Sequence, residues 1–271
     1  TWTPMNTGLD DKRVYGFAVH PGISPYRGYA ATRGGGVYKT TDGGANWTTV
    51  NNGLGCVYVN AVQFIGVAAT ATPTPATNGV GATESTDRLL ASTSCGSDSG
   101  VYLSTDGGTN WTLTSGMSPG VTAIGVTRVS PSGSGVDFLL AGSTEGVYKS
   151  IDNGLNWTLS NGAMAGPNGT QVNNVAVLYN GSPTPALTLY AAEASTGVWK
   201  SSDNGASWGT APVLNNITTA AGIGTDGSGN GNLYFPVDGE GVYKSADHGA
   251  TWTLFASNAV LPGARSLTRN T

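Results

Sequence analysis

The sequence has little charge, few histidines and cysteines, and no long apolar run. Charged residues make up 10% of its 271 residues, and its 12 Lys and Arg are thinly spread, so no basic surface for a nucleic-acid backbone is indicated. No apolar run approaches the roughly 18 residues that a membrane-spanning helix needs. With only His20 and His248, no metal-ligand cluster is visible, and no nucleotide or cofactor motif appears. We therefore expect no nucleic-acid partner, no membrane span, no metal and no cofactor.

The residues that are abundant indicate turns and a packed core. The 42 Gly, together with many Ser, Thr and Asn, are typical of a chain rich in turns. Disorder is the alternative, but 7 Trp, 11 Tyr and 38% hydrophobic residues argue against it. The N-terminal Thr-Trp-Thr-Pro has neither an initiator Met nor a signal-peptide pattern, which favours a processed or excised chain.

One short segment occurs five times along the chain. Residues 36–47 recur as 100–111, 146–157, 197–208 and 241–252, and each copy fits Ser/Thr-x-Asp-x-Gly-x-x-Trp. The aspartates are separated by 64, 46, 51 and 44 residues, and intervals of about 40–50 are the size of a four-stranded propeller blade. The aspartates and tryptophans, which we expect to be structural, are Asp42, Trp47, Asp106, Trp111, Asp152, Trp157, Asp203, Trp208, Asp247 and Trp252.

The repeated segment is typical of a β-hairpin. Val-Tyr-Lys-Ser alternates apolar and polar residues, as a half-buried strand does. The Asp is expected to open a turn by accepting hydrogen bonds from backbone N–H groups one or two residues later. The Gly supplies a backbone angle that other residues adopt at a cost, and the Trp begins the next strand and covers the hairpin.

Two further strands are predicted before each hairpin, which gives four strands, A to D, per repeat. The predicted A strands are 14–19, 57–64, 121–126, 172–178 and 217–223, and the B strands are 29–32, 89–93, 138–142, 189–192 and 233–237. Sandwiches and solenoids are alternatives, but four strands in about 45 residues favour a propeller. We therefore predict an all-β protein, a β-propeller of at least five four-stranded blades, with the repeated turn between strands C and D.

The ends of the chain do not form a complete blade. Residues 1–4 align with a D strand that has no A, B or C, and residues 264–268 align with an A strand that has no others. Three interpretations stay open: a five-bladed ring with two spare strands, a segment of a longer repeat array, or strands supplied by a neighbouring molecule. We interpret 1–271 as a single propeller domain and favour a segment of a longer chain.

The repeat resembles the Asp-box (BNR) repeat of sialidases, xyloglucanase-type glycosidases, sortilin-type receptor domains and a photosystem assembly factor. The resemblance covers nearly the whole chain. It is specific for the fold and not for the function, because the repeats of this group are scaffolding. It therefore implies a propeller in which the five aspartates hold turns.

The two cysteines fall at neighbouring positions of the second predicted blade. Cys56 begins strand A and Cys95 follows strand B, and antiparallel pairing brings these ends together. We predict a disulfide, worth about 3–4 kcal/mol through loop closure. A reduced pair of packed thiols is the alternative. A disulfide implies an oxidising compartment, so we expect a secreted or cell-surface protein.

Charged residues gather in the predicted loops between strands B and C. Paired carboxylates there could serve at a glycosidic bond, so the acids are candidate catalytic residues. The alternative is that these loop tips are polar because they face water. The candidate binding face consists of Arg33, Asp98, Glu145, Glu193, Asp238 and Glu240.

The resemblance gives little support to catalysis. Sialidase-type enzymes need a cluster of arginines, and no convergent set is evident. In xyloglucanase-type relatives a catalytic Asp stands in a segment that reads Ala31-Thr32-Arg33-Gly34-Gly35 here, with Arg33 in place of the acid. Our first hypothesis is a non-catalytic extracellular module that binds a glycan or a protein at the B–C loop face, or forms part of a surface assembly through its terminal strands. The second is an Asp-box glycosidase.

Glycosylation has weak support in the sequence. Six Asn-x-Ser/Thr sequons are present, but three of them come from the Asn-Trp-Thr of the repeat. The second predicted blade carries a Thr/Pro-rich insertion at 66–88, a composition that favours an extended and O-glycosylated segment.

Overall fold

The computed structural model describes residues 3–20, 26–67, 87–118, 123–129, 138–162, 164, 171–180, 186–209, 214–215, 224–225, 232–237 and 239–257. These residues are almost wholly β-structure, and the one helical element among them is a 3-10 turn, Gly96–Asp98. The chain divides into two compact units. The first is Thr1–Val126 with Asn153–Asn156, and the second is Thr127–Asp152 with Trp157–Thr271.

The described strands form five four-stranded sheets, and within each sheet the strands are neighbours in chain order. Sheet 1 contains β1 (Val14–Val19), β2 (Gly28–Thr32), β3 (Gly36–Thr40) and β4 (Thr48–Thr49). Sheet 2 contains β5 (Val59–Val67), β6 (Asp87–Thr93), β7 (Gly100–Ser104) and β8 (Thr112–Leu113). Sheet 3 contains β9 (Ala123–Val129), β10 (Phe138–Ser143), β11 (Gly146–Ser150) and β12 (Thr158–Leu159). Sheet 4 contains β13 (Val172–Asn180), β14 (Ala186–Glu193), β15 (Gly197–Ser201) and β16 (Leu214–Asn215), and sheet 5 contains β17 (Gly224–Thr225), β18 (Leu233–Val237), β19 (Gly241–Ser245) and β20 (Thr253–Ser257).

This meander of four strands is the arrangement of a propeller blade. The predicted A and B strands agree with the observed first and second strands to within a few residues, wherever the structure describes them. The predicted A strand at 217–223 and the terminal strand at 264–268 lie outside the described residues. Of the predicted strand at 1–4, residues 3 and 4 are described, and they belong to no strand.

Apolar cores lie between consecutive sheets within each unit. In the first unit, Tyr29 and Val37 of sheet 1 pack with Val62, Leu89 and other buried residues of sheet 2. In the second unit, one core joins sheets 3 and 4, and another joins sheets 4 and 5. The third strands are buried along most of their length because both of their faces pack against neighbours.

The predicted disulfide joins Cys56 and Cys95, whose Cα atoms lie 6.0 Å apart. Cys56 precedes β5 and Cys95 follows β6, the two antiparallel strands on which the prediction rested. It ties the start of the first strand of sheet 2 to the end of the second.

The turn between the third and fourth strands has a recurring hydrogen-bond pattern. In sheet 4, Asp203 Oδ1 accepts from the Ser201 hydroxyl at 2.8 Å and from the Ser207 N–H at 2.9 Å. The carboxylate thus binds an N–H four residues later, not one or two residues later as we expected. The reason is that the Ser201 hydroxyl itself accepts from the nearer N–H groups, those of Asp203 and Gly205.

Two successive residues of each turn are left-handed. Asn204 has φ 60° and Gly205 has φ 81°, and the corresponding pairs in the other four turns also have positive φ. This conformation points a carbonyl at the preceding sheet: Lys149 Nζ of sheet 3 donates to the Asn204 carbonyl at 2.7 Å. Lys200 Nζ of sheet 4 donates in the same way to the His248 carbonyl at 3.2 Å. The turn therefore also joins one sheet to the next.

The turn aspartates predict a loss of stability in acid. Hydrogen bonds from Asn46, Ser207 and Thr251 lower the pKa of Asp42, Asp203 and Asp247, respectively, to about 2. An unfolded Asp has a pKa of about 3.9, so these bonds stabilise the fold above about pH 4, and the stabilisation is lost as the pH falls from about 4 towards 2. We expect Asp203→Asn to weaken this acid dependence in urea unfolding measured at several pH values.

The matched control for this prediction is Asp10→Asn. Asp10 is exposed and its carboxylate has no hydrogen bond to any described residue, so the variant should keep the acid dependence of the wild type. An unchanged acid dependence in Asp203→Asn would mean that the turn carboxylates are not its source.

Candidate binding face at the B–C loops

Five of the six predicted face residues are described, and Asp238 lies outside the described residues. Each of the five lies in the loop between the second and third strands of its sheet, or at that loop's edge. Arg33 and Asp98 belong to the first unit, whereas Glu145, Glu193 and Glu240 belong to the second.

Glu145 and Glu240 are exposed and are bound by tyrosines of their own sheets. Tyr148 Oη donates to Glu145 Oε2 at 2.6 Å, and Tyr243 Oη donates to Glu240 Oε2 at 2.7 Å. The hydrogen bond to Glu240 raises the pKa of Tyr243. In both sheets the tyrosine stands three residues after the acid, on the third strand, so that the strand positions the loop carboxylate.

Glu193 is fully buried and its carboxylate closes its own turn. Oε1 accepts from the N–H and the hydroxyl of Ser195, at 3.1 and 2.8 Å. Oε2 accepts from the Thr196 N–H at 2.6 Å and from the Thr196 hydroxyl. Trp199 Nε1 donates to that same hydroxyl at 2.9 Å. The four bonds that Glu193 accepts all come from Ser195 and Thr196, two and three residues later in the turn, which accounts for a buried carboxylate.

Asp98 ends the 3-10 turn Gly96–Asp98, and its side chain is exposed. Its backbone carbonyl accepts from Tyr102 Oη at 3.1 Å and from the Thr93 hydroxyl at 3.1 Å. Burial raises the pKa of Tyr102. Here the tyrosine of the third strand donates to the backbone carbonyl of Asp98 and not to its carboxylate.

Arg33 forms an exposed cluster with two tyrosines. Its guanidinium carbon lies 5.5 Å from the centre of the Tyr15 ring, and Nη1 lies 3.4 Å from Tyr15 Oη. The backbone of Arg33 forms a β-bridge with Tyr58 of the next repeat. The side chains of Tyr15 and Tyr58 are 54% and 46% exposed. We call Arg33, Tyr15 and Tyr58 the Arg33 patch. Sequence reasoning found Arg33 alone, because nothing in the repeat pattern marks the two tyrosines as exposed.

A buried polar cluster in the first unit was not foreseen. Asp87 is fully buried, and Arg27 Nη2 lies 3.3 Å from its Oδ1. His20 Nε2 lies 3.6 Å from the same oxygen, and Tyr29 Oη donates to Oδ2 at 3.2 Å. These side chains lie where strands β1, β2 and β6 meet the loops at the other end from the B–C loops. The cluster joins sheets 1 and 2 by a buried ion pair.

Two kinds of site were searched for in the described ranges. Within them, no three His, Cys, Asp or Glu side chains are grouped so that they could hold a metal ion. Among the same residues, no helix is long and apolar enough to cross a membrane.

Comparison with known proteins identifies the fold. No family model and no curated protein matches the sequence. An ancestral GH74 enzyme matches at 18% identity and a TM-score of 0.67 over 97% of this chain and 33% of its own. YCF48 bound to a D1 peptide matches at 17% identity and a TM-score of 0.60 over 93% and 70%. The extracellular domain of a hybrid two-component system from B. thetaiotaomicron matches at 13% identity and a TM-score of 0.60 over 95% and 32%.

These structures are β-propeller proteins, and the Asp-box resemblance is consistent with them. The fold of this chain is therefore that of the β-propellers. The chain spans about a third of the length of the GH74 enzyme and 70% of that of YCF48. Because identities this low establish the fold alone, function has to be argued from the residues of this chain.

The burial of Glu193 predicts a structural effect. We expect Glu193→Ala to lower the free energy of unfolding by about 1–3 kcal/mol, because the donors of Ser195 and Thr196 lose a charged acceptor. The matched variant is Glu240→Ala, an exposed acid at the corresponding loop of sheet 5, which should change it by no more than about 0.5–1 kcal/mol. Urea unfolding measures both, and equal effects would contradict the structural role of Glu193.

The buried cluster predicts a larger effect. We expect Asp87→Ala to lower the free energy of unfolding by about 3–5 kcal/mol, because it leaves the Arg27 guanidinium buried without its carboxylate. Asp10→Ala, an exposed acid of the same unit, should change it by less than about 0.5 kcal/mol. Guanidinium unfolding followed by tryptophan fluorescence compares them, and a small effect of Asp87→Ala would mean that water reaches this cluster.

Proposed function

We propose that this chain is a non-catalytic β-propeller module that binds a protein partner at its B–C loop face. One observation carries the proposal: three of the four described loop acids, Glu145, Glu193 and Glu240, are held by their own sheets. Glu193 is buried within its turn, and Glu145 and Glu240 each accept a hydrogen bond from a tyrosine of the same sheet. A glycosidase needs a carboxylic acid and a second carboxylate that face each other across a sugar.

The Arg33 patch favours a protein over a glycan. Arg and Tyr are the side chains that most often dominate the energy of protein interfaces, and here Arg33 stacks on Tyr15 beside the exposed Tyr58. YCF48, which is similar in fold, is described in complex with a peptide. We propose that the patch contacts an acidic or aromatic segment of a partner, because a guanidinium pairs with carboxylates and stacks on rings.

A secreted or cell-surface location belongs to the same proposal. The Cys56–Cys95 disulfide favours an oxidising compartment. The similar B. thetaiotaomicron structure is an extracellular domain. We also propose that 1–271 acts as one propeller domain.

Binding of short synthetic peptides on an array tests the proposal. We expect acidic peptides that contain an aromatic residue to be enriched, and we expect Arg33→Ala to weaken their affinity by about ten-fold or more. The matched control is Arg88→Ala, which removes an arginine that binds the Asn153 carbonyl at the start of β6, at the other end of its sheet from the B–C loop. Equal losses in the two variants would show a general charge effect and would contradict the role of the patch.

Hydrolysis of xyloglucan tests the alternative, because GH74 enzymes share the fold. We expect no release of reducing ends by the wild-type chain. Release that is abolished by Glu145→Gln or Glu240→Gln, with unchanged thermal stability, would overturn the proposal in favour of a glycosidase.

A further inference from the structure

The link between sheets 1 and 2 binds a tryptophan of the following sheet. Trp111 Nε1 donates to the Val50 carbonyl at 2.8 Å, and the Trp111 N–H donates to the Asn52 carbonyl at 2.9 Å. Gly53 has φ 85°, and a Cβ at this position would collide with the Trp111 carbonyl. The residues that follow β4 therefore bind the tryptophan of the next repeat by two hydrogen bonds and pack closely against its backbone.

The segment before sheet 1 makes the same contacts. Trp47 Nε1 donates to the Met5 carbonyl at 3.1 Å, and the Trp47 N–H donates to the Thr7 carbonyl at 2.8 Å. Gly8 has φ 81°, and a Cβ there would collide with the Trp47 carbonyl. Residues 5–9 thus correspond to residues 50–54, which follow the fourth strand of sheet 1 and link it to sheet 2.

An asparagine in these links bridges to the third strand of its own sheet. Asn51 Oδ1 accepts from the Val37 N–H at 2.8 Å, and Asn51 Nδ2 donates to the Gly35 carbonyl at 2.8 Å. Asn161 makes the same two bonds at the start of β11. Asn6 occupies the equivalent position. It is exposed, and within the described part of the chain its side chain has neither bond.

The face of sheet 1 that points away from sheet 2 is apolar and exposed. Phe17 is 62% exposed, whereas Val62 and Val175, at the equivalent position of sheets 2 and 4, are 4% and 5% exposed. Each of the three pairs with an alanine of the second strand, which establishes the equivalence. Val62 is buried by packing in the core that sheets 1 and 2 share. Phe17 therefore stands where other sheets are covered by a preceding sheet.

The small core on this side of sheet 1 contains side chains of sheet 1 and of the segment before it, and none of a neighbouring sheet. Leu9, Ala30 and Tyr38 are buried there, with Trp47 packed at the edge and only partly buried. The equivalent core of sheet 4 adds Phe138 and further side chains of the preceding sheet.

We infer that this face, together with residues 3–9, is a docking surface for a three-stranded antiparallel sheet of the same repeat. The occupant's last strand begins with Gly-Val, so that Asn6 bridges to it as Asn51 bridges to Val37. That strand lies beside residues 3–5, which serve as its fourth strand through main-chain hydrogen bonds. Its apolar face covers Phe17. The interface of sheets 1 and 2 is the template, because the two hydrogen bonds from the tryptophan to its link and the close approach of the link glycine are already present around Trp47.

An extended chain tests this inference. A second copy of residues 171–207, which carries β13, β14, β15 and the turn of sheet 4 and contains no phenylalanine, is placed directly before Trp2, so that the repeat continues into Trp2-Thr3. We expect hydroxyl-radical oxidation of Phe17, read by mass spectrometry, to fall about ten-fold, in proportion to the exposure of Phe17 against Val62. Phe255, which is 60% exposed on β20, serves as the internal control and should keep its rate.

A second variant separates docking from other effects. Asn6→Ala should lower the melting temperature of the extended chain and leave that of the original chain unchanged, because Asn6 gains its partners only from the added strands. Unchanged oxidation of Phe17 in the extended chain, whether the added residues fold elsewhere or not at all, would overturn the inference. Protection of Phe17 in the original chain that rises with protein concentration would also overturn it, because a second copy would then be the occupant.

Discussion

In the turn between the third and fourth strands of a sheet, a hydroxyl and a carboxylate accept hydrogen bonds from different backbone N–H groups. The rest of the structure depends on this pair of acceptors. In the turn of sheet 4, Ser201 takes the near N–H groups and Asp203 takes the one four residues later. With both acceptors in place, the backbone passes through two left-handed residues, Asn204 and Gly205. That conformation presents the Asn204 carbonyl to Lys149 of the preceding sheet. A local turn therefore also sets the contact between sheets.

The same turn explains why much of the fold could be predicted from the sequence. The motif is short, each of its residues has a local role, and the strand before it has only five residues, as in β3 and β11. The pairing of Cys56 with Cys95 followed from strand order alone. The N–H group that donates to the Asp was predicted wrongly, because the competing hydroxyl of Ser201 was not considered.

The candidate site was less predictable, because its chemistry depends on partners that no repeat pattern marks. Glu193 and Glu240 stand in corresponding loops, yet only Glu193 is buried, since Ser195 and Thr196 satisfy its oxygens. Arg27 and Asp87 are separated by 60 residues and meet only when sheets 1 and 2 pack. Contacts of this kind require the register of two sheets to be known first.

An aromatic residue of the third strand, such as Tyr148 or Tyr243, binds a residue of the preceding B–C loop. Where the loop residue is an exposed acid, as in sheets 3 and 5, the strand supplies a tyrosine that holds the carboxylate. Loops held in this way lose little conformational entropy on binding, which favours recognition by a preformed surface. In the first unit, the side chains of Arg33 and Tyr58 are also exposed at the B–C loop end of their sheets. Three of the four described loop acids are bound within their own sheets, whereas the Arg33 patch keeps its arginine and tyrosines exposed, and this difference supports the proposal of a protein partner over that of a glycosidase.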